Sequence, residues 1–409
     1  MRRVVVTGLG IVSPIGNNVA EVLDSLRAGR SGIERSEEMA QRGFRSQVAG
    51  TIKLDPAEHI EKRKLRFMGA GAAYAFIAME QAIADAGLSE GEVSHERTGL
   101  IAGSGGPSTS NLFKAAQTVV DTGSPKKIGP LMVPRGMSST VSANLATAFK
   151  VKGINYSITS ACSTSLHCIG SAAEQIMMNK QDVMFAGGGE ELDWTLSALF
   201  DAMGAMSSHF NDEPQRASRA FDRDRDGFVI AGGGAMVVLE ERERALARGA
   251  RIYAEVTGFA ATSDGADMVA PSGEGGERAM KLALTTLPPG RSISYINAHG
   301  TSTPVGDVIE VEAVRRVFGE GRVPPISSTK SMTGHSQGAT GAHEAVYCLL
   351  MLQHDFIAPS INVDNLDPAI REGEIATRLV ENAGLDTVMT NSFGFGGTNG
   401  SMLLSKHSD

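Results

Sequence analysis

Residues 154–186 read INYSITSACSTSLHCIGSAAEQIMMNKQDVMFA. An apolar, β-branched run (Ile154–Thr159) leads into the small residues Ser160 and Ala161. A segment with helical spacing (Ser163–Met178) follows, and a second apolar run (Val183–Ala186) closes the stretch. Short apolar runs alternating with longer helical segments indicate α/β architecture with buried strands. The alternation continues on both sides. Towards the N-terminus lie Val4–Thr7, a helical segment at Ala70–Ala86, and Gly99–Ala102. Towards the C-terminus lie Phe228–Leu239, Ala254–Val256, Ser294–Ala298, Ile326–Thr329, a helix through Ala342–Leu352, Val388–Ser392 and Ser401–Leu404. A charged helical stretch, Glu240–Ala247, ends at Gly249, and the pattern then restarts. The expected organisation is two related α/β halves packed together, 1–250 and 251–409.

Composition narrows the function classes. The 409 residues are 42% hydrophobic and 21% charged, enough for a large packed core. The 48 glycines exceed the usual share of about 7%. They cluster beside apolar runs, where they permit turns and close backbone approach to a ligand or another element. A formal net charge of −8 argues against nucleic acid as a partner, because neutralising phosphates needs basic surface. Three cysteines make no disulfide framework, and no paired metal-ligand spacing occurs, so neither a metal nor a disulfide scaffold is expected. Gly8, Gly10 and Pro14 interrupt the apolar N-terminus, which reads as a first buried strand rather than a secretion signal. No stretch is long and apolar enough for a membrane span. The expected location is the reducing cytoplasm.

Three motifs fail on inspection. Gly8-Leu9-Gly10-Ile11-Val12-Ser13 nearly matches a dinucleotide fingerprint, but its third glycine position is serine, and a tight turn after the first strand is the simpler reading. Asp222-Arg223-Asp224-Arg225-Asp226-Gly227 begins like a calcium loop, yet its twelfth position is Gly233 and arginines alternate with the aspartates. A salt-bridged turn is expected there. Gly334-His335-Ser336-Gln337-Gly338 spells the G-x-S-x-G of a serine-hydrolase elbow, but the later histidines (His343, His354, His407) are poorly placed to serve it.

A different constellation carries chemistry. Cys162 sits where a strand hands over to a helix, so unpaired N–H groups and the positive dipole end favour its thiolate. Cys168 and Cys348 fall inside apolar helical runs and read as core residues. His299, in Asn297-Ala298-His299-Gly300-Thr301-Ser302-Thr303, ends a strand beside glycine and hydroxyls. His335 follows Lys330-Ser331-Met332-Thr333-Gly334 just before a helix. Two neutral imidazoles could stabilise a developing oxyanion or enolate while the cysteine holds an acyl group. Asn391-Ser392-Phe393-Gly394-Phe395-Gly396-Gly397-Thr398-Asn399 reads as a glycine-rich turn that could add an oxyanion N–H and phenylalanines gating an apolar tunnel.

The segments S-A-C-S-T-S (160–165), N-A-H-G-T-S-T-P-V-G-D (297–307), K-S-M-T-G-H-S (330–336) and N-S-F-G-F-G-G-T-N (391–399) resemble the β-ketoacyl-acyl-carrier-protein synthases, in that family's order. The likeness runs end to end and is strongest to the type I elongating enzymes, through E-Q-A-I-A-D-A-G-L (80–88), A-G-G-G-E-E-L (186–192) and T-S-D-G-A-D-M-V-A-P-S-G-E-G (262–275). It implies a thiolase-like fold: two duplicated βαβαβαββ halves in a layered αβαβα arrangement, in a homodimer. The nucleophile would lie in the first half and both histidines in the second.

The implied activity is that of an acyltransferase in fatty acid synthesis. Acyl-ACP and malonyl-ACP would condense with loss of CO2 to 3-oxoacyl-ACP and free carrier. Cys162 would take the acyl group, while His299 and His335 assist malonyl decarboxylation and Lys330 completes the catalytic set. The N–H groups of Cys162 and Phe395 would form the oxyanion hole. Asp307, Glu310 and Glu344 would hold Lys330 and set the local field. Thr301 and Thr303 match pantetheine-binding positions, Phe393 the gate, and Gly106 the acyl pocket. No cofactor or metal is implied, the substrates riding on the carrier's phosphopantetheine. Lys62, Arg63 and Arg66 form one basic run, and Lys126 and Lys127 another. Both match positions near the pantetheine entrance and fit docking to an acidic carrier.

Modest departures from the family pattern occur at Ser163, at Pro107, and in Gln337-Gly338-Ala339-Thr340, where a more apolar run is usual. Other classes fit less well. A type II elongating synthase would differ in chain-length preference. A thiolase uses a late second cysteine, and none follows Cys348. A non-catalytic chain-length-factor subunit would lack the nucleophile, which is present.

Overall fold

The computed structural model describes residues 1–407 and joins ten strands in one continuous sheet. They are β1 (Val4–Val12), β2 (Thr98–Gly103), β3 (Asn155–Tyr156), β4 (Val183–Glu190), β5 (Gly233–Glu241), β6 (Ala254–Ser263), β7 (Ile293–Asn297), β8 (Ile326–Ser327), β9 (Thr387–Gly394) and β10 (Thr398–Ser405). Their order is β8-β7-β9-β10-β6-β1-β5-β4-β2-β3. Counted outward from the centre, β1-β5-β4-β2-β3 and β6-β10-β9-β7-β8 are the same arrangement twice. Strand directions repeat as well. β5 runs antiparallel to β1 and β4, as β10 does to β6 and β9, and the outer pairs of each run are parallel. The two runs meet through a short antiparallel contact, Val5 opposite Glu255 and Val6 opposite Ala254.

Five helices complete the layers: α1 (Ala70–Ala86), α2 (Thr164–Met177), α3 (Glu274–Leu284), α4 (Gly306–Phe318) and α5 (Thr340–His354). Three apolar clusters show where they sit. One joins α1 to the β1–β5 run, and another joins α3 and α4 to the β6–β10 run. The largest lies between, around α2 and α5. These two inner helices pack on one another so closely that a Cβ on Gly341 would stand 2.6 Å from Leu166 N. Ala342 N–H also donates to Ser165 Oγ at 2.8 Å. With both faces covered, β4 and β5 are buried throughout, as near-continuous apolar runs require.

The chain differs from its sequence reading most clearly around the first strand, the edge strand before Cys162 and the stretch 228–247. Gly8–Val12 continues β1 instead of turning. Gly8 and Gly10 let the strand lie against α1, where added Cβ atoms would meet Ala82 O at 2.4 Å and Ala78 O at 1.7 Å. Of Ile154–Thr159, only Asn155 and Tyr156 pair, as an edge strand. The remainder loops toward Cys162. Phe228–Leu239 is interrupted: Ile230 and Ala231 join a separate three-stranded sheet with Ile33–Arg35 and Val48–Gly50, and β5 starts at Gly233. Glu240 and Glu241 end β5, so the helix there is Arg242–Ala247. In the aspartate-rich turn, Arg219 and Asp222 pair at 3.1 Å and Arg225 and Asp367 at 2.7 Å.

Candidate active site

Cys162 lies two residues before α2, after Ala161 in a left-handed conformation (φ 50°). The turn is tied down locally, with Thr164 Oγ1 donating to Ala161 O at 2.7 Å. Ser163 faces away from the thiol and donates to the carbonyls of Ser392 (2.9 Å) and Thr398 (3.0 Å). This hydroxyl therefore anchors the nucleophile turn to the β9–β10 hairpin.

A cavity of about 350 Å³ opens onto Cys162. His299, His335, Thr301, Thr303, Phe393, Phe395 and Gln337 line it too, so strand ends from both halves of the sheet converge on one space. His299 follows β7, where Glu310 on α4 accepts from the N–H groups of His299 and Gly300, both at 2.8 Å. His335 is held through its backbone: its N–H donates to Val229 O at 2.7 Å, and its carbonyl accepts from Ala231 N–H at 2.9 Å. The two imidazoles stand edge to face, centroids 5.4 Å apart. Phe393 packs 5.8 Å from the His299 ring.

Electrostatics set the resting state. Burial, with Lys330 nearby, holds both histidines well below their usual range, so they are neutral hydrogen-bonding groups at neutral pH. His299 Nδ1 and His335 Nε2 have no protein partner. Burial pushes the Cys162 thiol up to about 12. Lys330 pulls it down, Glu190 pushes it up, and the N–H groups of Phe395 and of Cys162 itself, both aimed at the sulfur, pull it down. Desolvation thus opposes the preference for a thiolate that the helix terminus offers. Lys330 pairs with Glu344, both side chains 1% exposed.

Two further expectations change. Asp307 does not serve Lys330. It ion-pairs with Arg225 at 3.6 Å and accepts from the N–H groups of Phe221, Ser302 and Thr303, shaping the loop that carries Thr301 and Thr303. Gly106 lies outside the main cavity, in a much smaller one beside Pro107, Ser108 and Glu191. The basic residues are surface groups. Lys62, Arg63 and Arg66 lie in or just after one helical turn, and Lys126 and Lys127 in another, none of them lining the cavity.

Several contributors escaped sequence reasoning. Gln337, Phe200 and Phe228 line the cavity, and Asp264 ties residues 264–272 to the hairpin. Its N–H donates to Gly397 O at 2.8 Å and its carboxylate accepts from Asn399 Nδ2 at 2.8 Å. Asp264 falls within the family-like stretch 262–275 and Gln337 is unusually polar, whereas Phe200 and Phe228 carry no such signal. The G-x-S-x-G motif is accounted for differently. Ser336 is buried outside the cavity, bonded at 2.8 Å to His343 Nδ1, whose other nitrogen faces Val12 O at 3.0 Å. The second nitrogen of His343 thus meets a backbone carbonyl rather than a carboxylate, and Ser336 does not line the cavity, which argues against the hydrolase reading.

A nucleophile turn, two strand-end histidines and a glycine hairpin around one apolar cavity match a known domain pair. The N-terminal domain of β-ketoacyl synthases matches residues 1–245, and their C-terminal domain residues 253–364. The chain belongs to the β-ketoacyl synthase family. Among its relatives in that family, 3-oxoacyl-[acyl-carrier-protein] synthase 1 of Haemophilus influenzae is 60% identical, covering all of both chains. A synthase 2 from Vibrio cholerae is 42% identical over 99% of each. A β-ketoacyl synthase from Burkholderia phymatum superposes with a TM-score of 0.94 at 38% identity, covering all of both chains. A ketosynthase solved in complex with its acyl-carrier protein and bound to the hexaketide superposes at 0.89, with 30% identity and full coverage of both. Among the described residues, no helix is long and apolar enough to cross a membrane.

Proposed function

We propose that this chain is a type I elongating β-ketoacyl-ACP synthase of fatty acid synthesis, working in the cytoplasm as a homodimer. The observation that carries the proposal is the convergence of Cys162, His299, His335 and the Phe395 N–H on one apolar cavity. The higher identity to a synthase 1 than to a synthase 2 favours type I.

Cys162 Sγ attacks the acyl-carrier thioester, and the pantetheine thiol leaves with the proton. The acyl group is now a thioester on Cys162. Malonyl-carrier enters along Thr301 and Thr303, whose hydroxyls stand 3.3 Å apart where they can bind the pantetheine arm. Loss of CO2 leaves an enolate, whose oxygen the neutral His299 and His335 hold by N–H donation. A charged imidazolium would instead protonate the enolate. The enolate carbon attacks the acyl carbonyl, and the N–H groups of Cys162 and Phe395 accommodate the tetrahedral oxyanion. Collapse breaks the C–S bond and releases 3-oxoacyl-carrier, and the Cys162 thiolate that leaves takes up a proton from solvent to restore the resting thiol. Phe393, packed on His299, is placed to gate access, and no metal or nucleotide enters the sequence of steps.

Incubation with malonyl-carrier and acyl donors of graded length, saturated and cis-unsaturated, tests the reaction and maps the pocket. Cys162→Ala is expected to abolish condensation while leaving the fold intact. Near-normal condensation by that variant refutes the assignment.

A further inference from the structure

Gln337 places a polar side chain against the reacting sulfur. It follows His335 by two residues, lines the same cavity, and is 4% exposed. Its backbone is left-handed (φ 49°). The next residue is clamped. Gly338 N–H donates to Glu190 Oε2 at 2.9 Å, and a Cβ on Gly338 would lie 2.0 Å from Gly105 N. The Gln337 amide therefore projects from a turn held at its next residue.

Its two ends are distinguishable. Nε2 donates to the His335 carbonyl at 3.3 Å, which leaves Oε1 facing Cys162. The Cys162 Sγ–H donates to that oxygen at 3.7 Å. An amide oxygen can accept from a thiol but has nothing to offer a thiolate.

We infer that Gln337 is the acceptor that keeps the Cys162 proton on sulfur and so sets the resting reactivity of the nucleophile. Other groups face the same sulfur. Lys330, from the helical turn Lys330–Thr333, and the N–H groups of Phe395 and Cys162 favour the thiolate. Glu190, at the end of β4, opposes it, and the neutral His299 and His335 share the cavity. Against this set, Gln337 contributes the direct hydrogen bond to the protonated form. It protects the thiol from stray electrophiles without adding a charge to an apolar tunnel.

The inference rests on Cys162 being the reactive thiol, and the test separates the two. Iodoacetamide labelling of Cys162 is followed by mass spectrometry from pH 7 to 10 in the full-length protein, Gln337→Met and Gln337→Glu, with thermal melts to verify folding. Removing the acceptor in Gln337→Met is expected to speed labelling about two- to fivefold at each pH, the gain in thiolate being partly offset by its lower nucleophilicity. Gln337→Glu, which keeps an acceptor and adds negative charge, is expected to slow it. Opposite directions are the signature, because a merely loosened site would speed both. Unchanged rates, or slower labelling of Gln337→Met, overturn the inference alone. Absence of labelling at Cys162 in every variant overturns the nucleophile reading and this inference with it.

Discussion

Lys330 and Glu344 form an ion pair in which each side chain is only 1% exposed, and the Lys330 charge acts on both His299 and His335. Burial pushes Glu344 up to about 7, and Lys330 pulls against that push. A charge held this deeply is tolerable only while its partner is present.

Lys330→Met is therefore expected to destabilise the protein by about 3–5 kcal/mol at pH 8, where the orphaned Glu344 must either stay charged without its partner or take up a proton that the unfolded chain does not hold. The loss should shrink below the raised Glu344 value, where the carboxyl takes up a proton. Adding Glu344→Gln should restore much of the stability. Urea unfolding at pH 8 and pH 5 measures all three, and a single variant as stable as wild type at pH 8 contradicts the pairing.

Glu190 makes a separate pH prediction. Burial raises its carboxyl to about 7, opposed by hydrogen bonds from Ser104, Gly338 and Gly105. The folded state therefore holds this proton more tightly than the unfolded chain does. The stability it contributes is present below the usual glutamate value and lost as pH rises through about 7. Glu190→Gln can keep one acceptor for both glycine N–H groups and turn its NH2 toward Ser104, whose hydroxyl also donates to Gly106 O. The variant should gain stability relative to wild type between pH 5 and pH 8. A constant difference across that range counts against the raised value.

Steric limits at β1 can be checked directly. Gly10→Ala would put its Cβ 1.7 Å from Ala78 O, so the strand and α1 must separate. A loss of at least about 3 kcal/mol is expected. Gly87→Ala, at a left-handed helix end (φ 64°) with nothing within 4 Å, should cost only about 1–2 kcal/mol. Equal costs in denaturant melts would mean that contact with α1 is not what keeps position 10 a glycine.

Charge reversal at Arg63 and Arg66 should raise the KM for carrier-bound substrate, more at 20 mM salt than at 300 mM, concentrations spanning a Debye length from about 20 Å to under 10 Å. kcat should hold, since neither residue lines the cavity. Unchanged steady-state kinetics at low salt would remove this patch as the docking surface.

The elements with strong periodicity were legible in the chain itself. Ala70–Ala86 has the helical bounds that its spacing predicts, and Ser163–Met178 differs by one residue at each end. Both carry long, small-residue apolar faces and recognisable ends. The strand at Val183 runs on through Gly187–Gly189, which lack side chains that mark a strand, and the strand at Ala254 runs on through mostly small and hydroxyl residues to Ser263. In the first strand Gly8 and Gly10 suggest a turn, yet the strand runs on through them. A glycine that frees a turn and one that admits a neighbouring helix look identical until the neighbour is in place.

The sequence by itself determined the residue types at the strand ends: a cysteine before a helix, two histidines beside glycines, and a glycine hairpin. Those identities depend on local chemistry and spacing, which a linear chain displays. Only the tertiary structure decided that the thiol lies in apolar surroundings that keep it protonated. It also decided that Asp307 answers Arg225 rather than Lys330, and that the Gln337 amide turns its oxygen to sulfur. Desolvation, ion pairing and the orientation of an amide are set by groups far apart in sequence, so they exist only once the two halves close on each other.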